Sequence, residues 1–315
     1  MKKYVKSSLN VAKQRMGNKM PQRTPFTLSV NSTEIKGELY QSASEKSPNP
    51  PALIICHGIP AGDNPCYTPG SSSGYELLAG IFSEMGYNTI IFNFSGTGKS
   101  GGNLDLSEWV KQLKEVIKYY RDKAIENIED QKKDAFSSVQ EPLQKDNKIS
   151  LHLLGFSAGA AVSVMAAAEI QQESTKKNSS EKEDYPLEIE SVALCAPPGN
   201  FRFLIDKLTE NGVWEWFKGA GFFTSPETLP PKAKWFQNFL SVEPEKYINK
   251  IKTGKLLIIH GEKDDLVPPE HATNLYNMAT GNKKLIIHPD EGHQLRHSEK
   301  VIKNLREWFK GHLAH

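Results

Sequence analysis

Short runs of almost continuous apolar residues alternate along this chain with stretches whose apolar residues recur at helical spacing. The runs are too short to form helices, so each is predicted to be a buried strand. Buried strands that alternate with helices are typical of a mostly parallel sheet covered by helices on both faces. The predicted strands of this kind are Ala52–Cys56, Asn88–Phe92, Ser150–Leu154, Ser191–Cys195, Lys255–Ile259 and Lys284–Ile287.

A hairpin, a polar arm and several helices are predicted around these strands. Phe26–Val30 and Ile35–Tyr40 have the composition of two paired strands, and residues 1–25 are interpreted as a polar, basic N-terminal arm. The stretches Lys123–Lys148 and Gln171–Pro186 are rich in charged and amide side chains and are interpreted as solvent-exposed helix extensions and loops. Helices are predicted at Gly74–Met85, Asp105–Tyr120, Ala158–Ile170, Glu270–Ala279 and Ser298–Phe309.

The segment 200–249 is distinguished by its ten Phe and Trp residues. We interpret it as a helical cap over the edge of the sheet where a ligand would bind. Most of its rings are expected to pack the cap against the core, whereas Trp214 and Phe217 are predicted to contact substrate together with Phe156 of the core. The predicted core comprises residues 26–199 and 250–315.

Charge, hydropathy and cysteine content exclude several classes of function. A net charge of +2, from 39 basic and 37 acidic residues in a chain of 315, gives no argument for binding nucleic acid or a membrane surface. No apolar run is long enough to span a bilayer, and the basic N-terminus lacks the apolar stretch of a secretory signal. The three cysteines, Cys56, Cys66 and Cys195, are not clustered, which favours a reducing, cytoplasmic location and no structural zinc. No particular oligomeric state is predicted.

A Gly-Phe-Ser-Ala-Gly motif at 155–159 lies between the strand-like run Ile149–Leu154 and the helix-like run Ala160–Ala168. In this setting Gly-x-Ser-x-Gly is the signature of a nucleophile elbow, a strained turn that lifts a serine hydroxyl clear of the backbone. Ser157 is therefore the predicted nucleophile. The alternative interpretation is a tight turn that contains an ordinary serine.

An acid and a base follow two later predicted strands, in the chain order Ser, acid, His that such an elbow requires. Asp264 lies in the loop after Lys255–Ile259 at a Gly-x-x-Asp spacing, and the neighbouring Asp265 is the alternate acid. His293 follows Lys284–Ile287 and is the predicted general base. Carboxyl ends of parallel strands meet at one edge of a sheet, so the three side chains are expected to form one triad.

The tetrahedral intermediate of such a reaction needs hydrogen-bond donors for its oxyanion. The backbone N–H of Ala158, directly after the nucleophile, is one predicted donor. The N–H of Ile59 is the other, because Gly58 allows the loop after Ala52–Cys56 to turn and Pro60 has no N–H. His57 is interpreted as a structural residue that braces this loop.

In the order and spacing of these motifs the chain resembles the α/β-hydrolases, over residues 50–100, 149–200 and 254–300. The stretch 93–101 resembles the glycine-rich turn of that family, with Asn93 and Ser95 at positions where the family usually has an acid and an arginine. Residues 195–198 resemble the segment that follows the first strand after the elbow helix in small uncharacterised hydrolases of this superfamily. The resemblance implies about eight mostly parallel strands, helices on both faces and a helical cap inserted after the sixth strand.

These residues predict a serine hydrolase that needs no metal and no cofactor and acts on a small-molecule ester. Carboxylic esters with small to medium apolar acyl or aryl groups are favoured, because the cap is aromatic; thioester, amide or peptide hydrolysis and peroxyacid formation are alternatives. Gly98-Lys99-Ser100 resembles the end of a P-loop, but Asn93 stands where that loop needs glycine. Outside enzymes, the alternative is a catalytically silent ligand-binding protein of the same fold.

Overall fold

The computed structural model describes residues 21–44, 49–60, 74–137, 148–176, 185–252 and 254–313. Cys66 and most of the predicted N-terminal arm lie outside the described residues. Within them, eight strands form one sheet in the order β1-β2-β4-β3-β5-β6-β7-β8. The strands are β1 (Arg23–Val30), β2 (Thr33–Tyr40), β3 (Ala52–Cys56), β4 (Asn88–Phe92), β5 (Ile149–Phe156), β6 (Leu187–Cys195), β7 (Lys255–Gly261) and β8 (Lys283–His288).

The sheet is parallel from β4 to β8 and antiparallel where the N-terminal hairpin joins it. β1 pairs with β2, and β2 pairs with β4, in antiparallel register, while the remaining pairs are parallel. The predicted fold class, an eight-stranded and mostly parallel sheet with helices, is confirmed. β1 begins at Arg23, three residues before its predicted start.

Helices cover both faces of the sheet. The helices are α1 (Tyr75–Met85), α2 (Leu106–Ser137), α3 (Ala158–Lys176), α4 (Arg202–Gly219), α5 (Lys232–Leu240), α6 (Glu270–Met278) and α7 (Glu299–Lys310). In β3, Ile54 and Cys56 pack in one apolar cluster with α2 and α3, while Leu53 and Ile55 pack in a second cluster with α1 and α7. Successive side chains of a strand point to opposite faces, so a strand covered on both sides must be apolar throughout.

The start of α2 is fixed by a side-chain cap. Oδ1 of Asp105 accepts hydrogen bonds from the backbone N–H groups of Ser107 and Glu108, at 2.9 and 3.3 Å, which satisfies two of the unpaired donors of the first turn. The helix then extends beyond its apolar stripe, and exposed ion pairs such as Lys123–Glu126 line the extension. The predicted extension of this helix into solvent is therefore observed as far as Ser137.

The segment 200–249 contains α4, α5 and short 3₁₀ turns. Hydrogen bonds join it to the loop between β4 and α2. Asn103 donates from Nδ2 to the Ser225 carbonyl at 2.7 Å and accepts from the Ser225 N–H at 3.0 Å. The Trp235 indole donates to the Leu104 carbonyl at 2.7 Å. We refer to these contacts as the cap clamp. Among the helices described, none is both long enough and apolar enough to cross a membrane.

Candidate active site

Three side chains that are distant in sequence meet at the carboxyl edge of the sheet. Ser157 directly follows β5, Asp264 lies three residues after β7, and His293 lies in the loop after β8. Nε2 of His293 lies 3.0 Å from Oγ of Ser157, and its Nδ1 lies 2.7 Å from Oδ2 of Asp264. Since a carboxylate only accepts hydrogen bonds, Nδ1 carries the proton, and Nε2 is left to accept from the serine hydroxyl.

The turn that carries Ser157 has the geometry of a nucleophile elbow. Ser157 has a φ of 53°, in the left-handed region that non-glycine residues rarely adopt. A Cβ at Gly155 would overlap the backbone of Ala160, and a Cβ at Gly159 would overlap the carbonyl of Cys56. Both glycines are therefore required, because β5, β3 and the start of α3 approach each other too closely for any side chain there.

Asp264 is a buried carboxylate with every oxygen occupied by donors. Its Oδ1 accepts from the backbone N–H groups of Leu266 and Val267, at 3.0 and 2.9 Å. Its Oδ2 faces His293 and also Nε2 of His260, at 3.1 Å. Burial acts to raise the pKa of Asp264, but the hydrogen bonds from His260 and His293 outweigh it and hold that pKa well below its usual range.

The alternate acid, Asp265, does not share this environment. It is exposed, and its carbonyl accepts a hydrogen bond from Lys207 of α4 at 3.0 Å. Of the two neighbouring acids, only Asp264 contacts the imidazole of His293, in agreement with the Gly-x-x-Asp spacing.

Both segments predicted to supply oxyanion donors border Ser157. Ala158 is the first residue of α3 and follows the serine. A Cβ at Gly58 would stand 2.8 Å from Cβ of Ser157 and 3.0 Å from the Phe156 carbonyl, so the loop that continues into Ile59 passes directly beside the nucleophile. The positive end of the α3 dipole favours negative charge at this point.

His57 braces the same loop, as predicted. Its Nε2 accepts a hydrogen bond from the backbone N–H of Phe94 at 3.0 Å, and its Nδ1 therefore donates to the Gly58 carbonyl at 2.7 Å. Burial lowers the pKa of His57 to about 4. The neutral ring thus joins the loop after β3 to the end of β4.

Hydrogen bonds from α2 and within the turn hold the glycine-rich turn after β4. The Ser95 N–H donates to Gln112 at 3.0 Å, and the Ser95 carbonyl accepts from the Trp109 indole at 3.1 Å. The Ser100 hydroxyl donates to the Asn93 carbonyl at 2.6 Å. In a P-loop that hydroxyl would hold Mg²⁺, so its internal use argues against nucleotide binding.

The aromatic residues predicted to contact substrate occupy different environments. Phe156 is buried beside the elbow, with its ring 5.7 Å from that of Tyr75. Trp214 is partly buried and packs 5.5 Å from Trp235. Phe217 has no exposed surface and packs 5.2 Å from Trp235, so its ring stabilises the interior of the cap instead of facing a ligand. Among the residues with described positions, no cluster of three or more His, Cys, Asp or Glu could hold a metal ion.

Solved structures of low sequence identity share this fold. Est1E from Butyrivibrio proteoclasticus, in a complex with ferulic acid, superposes with a TM-score of 0.59 at 17% identity, over 90% of this chain and 97% of its own. The α/β hydrolase GrgF from Penicillium sp. sh18 also gives 0.59, at 16% identity, over 92% and 98% of the two chains. At such identities the likeness shows the fold alone.

Sequence comparison relates the chain to proteins of Escherichia coli and to one family. The chain is 21% identical over 262 residues to the uncharacterized protein YfhR of Escherichia coli O157:H7, covering 83% of this chain and 69% of YfhR. It is 24% identical over 290 residues to an uncharacterized 31.7 kDa protein of the Escherichia coli traX-finO intergenic region, covering 84% and 91%. The family model described as serine hydrolase (FSH1) matches residues 93–304, more than half of the chain. This chain accordingly belongs to the FSH1 serine hydrolase family, and its fold is that of the α/β-hydrolases.

Proposed function

We propose that this serine hydrolase is a carboxylesterase whose triad is Ser157, His293 and Asp264. The observation that carries the proposal is the continuous chain of hydrogen bonds from hydroxyl to carboxylate, 3.0 Å from Oγ to Nε2 and 2.7 Å from Nδ1 to Oδ2. A serine is a weak nucleophile until a base within hydrogen-bond reach takes its proton and a third group orients that base. Both conditions are met by side chains at one edge of the sheet.

The reaction would proceed through an acyl-enzyme. Oγ of Ser157 attacks the ester carbonyl as Nε2 of His293 takes the hydroxyl proton, and Asp264 stabilises the imidazolium that results. The tetrahedral intermediate collapses, the bond to the alcohol breaks, and His293 returns its proton to the leaving oxygen. Water then attacks the acyl-enzyme by the same steps, which releases the acid and restores the serine.

The backbone N–H groups of Ile59 and Ala158 are proposed to hold the oxyanion. Their support is the close approach of Gly58 to Ser157 and the position of Ala158 at the start of α3. Donors fixed in the backbone need no reorganisation as negative charge develops, which makes such a pair one of the larger contributions to catalysis.

An ester of an apolar or aromatic acid is the proposed substrate class. The segment 200–249, which reaches the loop of Asp264 through the hydrogen bond from Lys207 to the Asp265 carbonyl, is rich in aromatic rings. An ester also has a better leaving group than an amide. Est1E, which shares the fold, binds an aromatic carboxylic acid in its solved structure. Thioesters and amides remain the alternatives, since they share the acyl-enzyme step.

A substrate panel tests the proposal. We expect p-nitrophenyl esters from acetate to palmitate to be hydrolysed faster than an acyl-CoA or an aminoacyl anilide. Ser157→Ala should lower kcat by about three orders of magnitude or more and abolish labelling by a fluorophosphonate probe.

Ser174→Ala is the matched control, since this α3 serine is exposed and its hydroxyl donates to the carbonyl of Ile170 in its own helix. It should leave both the rate and the labelling unchanged. Ester hydrolysis that survives in folded Ser157→Ala would refute the nucleophile. Faster turnover of the acyl-CoA or the anilide would replace the ester assignment.

A further inference from the structure

A second imidazole contacts the acid of the proposed triad. His260 lies within β7 and has no exposed surface. Its Nε2 lies 3.1 Å from Oδ2 of Asp264 and 2.9 Å from the Val267 carbonyl. The Asp264 oxygen that it reaches is the one that also accepts from His293.

The two neighbours of Nε2 determine which ring nitrogen carries the proton. A carbonyl and a carboxylate are both acceptors, so Nε2 of His260 must be the donor and shares its hydrogen between them. Nδ1 of His260 is then an acceptor, and within the described part of the chain it is buried without a hydrogen-bond partner. Leaving a buried acceptor without a hydrogen bond costs free energy. The hydrogen bonds of Nε2 must therefore be what keeps the ring in this orientation.

We propose that His260 is a positioning residue: its Nε2–H holds Oδ2 of Asp264 in line with His293 and limits how strongly that oxygen attracts the imidazole proton. The inference rests on the proposed function, because it concerns the acid of the same triad. A hydrogen bond to an anion disperses its charge, so the carboxylate orients His293 while attracting its proton less strongly.

Other titratable groups reach this cluster from neighbouring elements. His271 of α6 lies within electrostatic reach of His260, and burial lowers its own pKa. Lys207 of α4 donates to the carbonyl of Asp265, beside the acid. Among the described residues, Oδ2 of Asp264 is contacted by His293 and His260 and by neither of these groups, so a change at His260 alters the donors of that oxygen directly.

Two substitutions distinguish the effect of the Nε2–H donor of His260 from the effect of its ring. His260→Phe keeps a ring but removes the donor, and His260→Gln places an amide N–H near the position of Nε2. For ester hydrolysis we expect His260→Phe to shift the acid limb of the pH profile of kcat/KM upward by about half a pH unit and to lower kcat about tenfold with KM little changed. His260→Gln should restore both values toward those of the wild type.

His288→Phe is the control, since His288 ends β8 and pairs through Nε2 with Asn304 at 2.9 Å, away from Asp264. Its pH profile should match that of the wild type. A folded His260→Phe enzyme with the wild-type profile, or a His260→Gln enzyme no closer to wild type than His260→Phe, would overturn the inference.

A measurement on the wild-type protein keeps the test decisive if His260→Phe does not fold. Long-range ¹H–¹⁵N spectra distinguish the two imidazole tautomers, and we expect His260 to be the Nε2–H form; the Nδ1–H form would overturn the inference. The proposed function fails separately, if Ser157→Ala stays active. A wild-type enzyme that depends on Ser157 but whose His260 is not the donor would remove only the positioning role.

Discussion

Ser157 holds a backbone conformation that its side chain does not favour. Its φ of 53° is imposed by its neighbours, because its N–H donates to the Cys195 carbonyl at 2.8 Å while its own carbonyl accepts from Ala160 at 2.9 Å. The first bond ties the turn to β6 and the second begins α3. A left-handed conformation at a residue with a Cβ costs about 1 kcal/mol, and such strain is concentrated at functional sites.

This strain predicts a difference in stability between two inactive variants. Ser157→Ala keeps a Cβ in the left-handed region, whereas Ser157→Gly removes it. We expect the glycine variant to be more stable than the alanine variant by about 1 kcal/mol, although glycine normally destabilises a folded chain. Urea unfolding of the two proteins measures the difference. An alanine variant equal to or more stable than the glycine variant would mean that the turn carries no strain.

Residues with a local signature could be predicted from the sequence, and residues without one could not. Ser157 and Asp264 each follow a predicted strand within a recognisable spacing, so pattern alone indicated them. His260 has no such signature, because its role depends on the loop folding back until the carboxylate faces Nε2. Phe217 has no exposed surface in the structure, and the sequence could not show which rings of segment 200–249 pack inward, because that depends on contacts between distant residues.

At the scale of elements, the ends of some strands could be predicted from the sequence and the ends of others could not. β3 and β4 have the predicted bounds, because apolar residues fill β3 and the last three positions of β4. β6 starts at Leu187, four residues before its predicted start, and so includes the charged residues Glu188 and Glu190. In the folded protein both carboxylates pair with Lys148, at 2.7 and 3.0 Å, which lets polar residues continue the strand.

The cap clamp is an element-scale contact that sequence could not supply, because its hydrogen bonds join side chains to backbone groups more than a hundred residues away along the chain. Asn103 and Trp235 each bond to backbone across this junction, and the Trp235 ring has no exposed surface. The helical cap is thus fixed to the core on the side of α2. Polar contacts of this kind define the relative position of two elements more narrowly than apolar packing does.

Trp235→Phe should show the contribution of the clamp. The substitution keeps an aromatic ring but leaves the buried Leu104 carbonyl without its indole donor, so we expect the free energy of unfolding to fall by about 1–3 kcal/mol. Trp308→Phe is the matched control, because the Trp308 indole nitrogen is buried without a partner among the described residues. Denaturant titration of both variants compares the losses. An equal loss in the two would show that ring packing, not the hydrogen bond, holds the cap.

At the scale of the whole molecule, buried neutral histidines connect elements that are distant in sequence. His57 joins the loop after β3 to the end of β4. His152, within β5, places Nδ1 2.8 Å from the Ser191 hydroxyl of β6, and its ring packs 6.0 Å from Phe309 of α7. Neither ring is exposed by more than 2%. The fold therefore keeps two buried imidazoles uncharged, one within the sheet and one directly after β3.

These histidines predict how stability changes with pH. Burial lowers the pKa of His57 to about 4 and that of His152 to about 3, whereas an unfolded histidine titrates near about 6.5. Between these values the unfolded chain binds protons that the folded chain does not, so the free energy of unfolding must fall as pH decreases from about 6.5 toward 4. Each histidine contributes a slope of up to about 1.4 kcal/mol per pH unit. Burial also lowers the pKa of His271, His297 and His312, which adds to the same trend.

The variant His152→Asn isolates one of these contributions. Its amide can still reach the Ser191 hydroxyl, which now bonds Nδ1 at 2.8 Å, but the side chain no longer titrates. Urea unfolding at pH 7, 6 and 5 should give a pH slope smaller than that of the wild type by about 1 kcal/mol per pH unit on average, and by up to about 1.4 at the acid end, whatever the variant loses in absolute stability. The slope is informative because it counts protons and does not depend on packing. A wild-type protein equally stable at pH 7 and pH 5, or a variant with an unchanged slope, would mean that His152 is charged in the folded state, and burial inside the sheet would then require a counter-charge beside it.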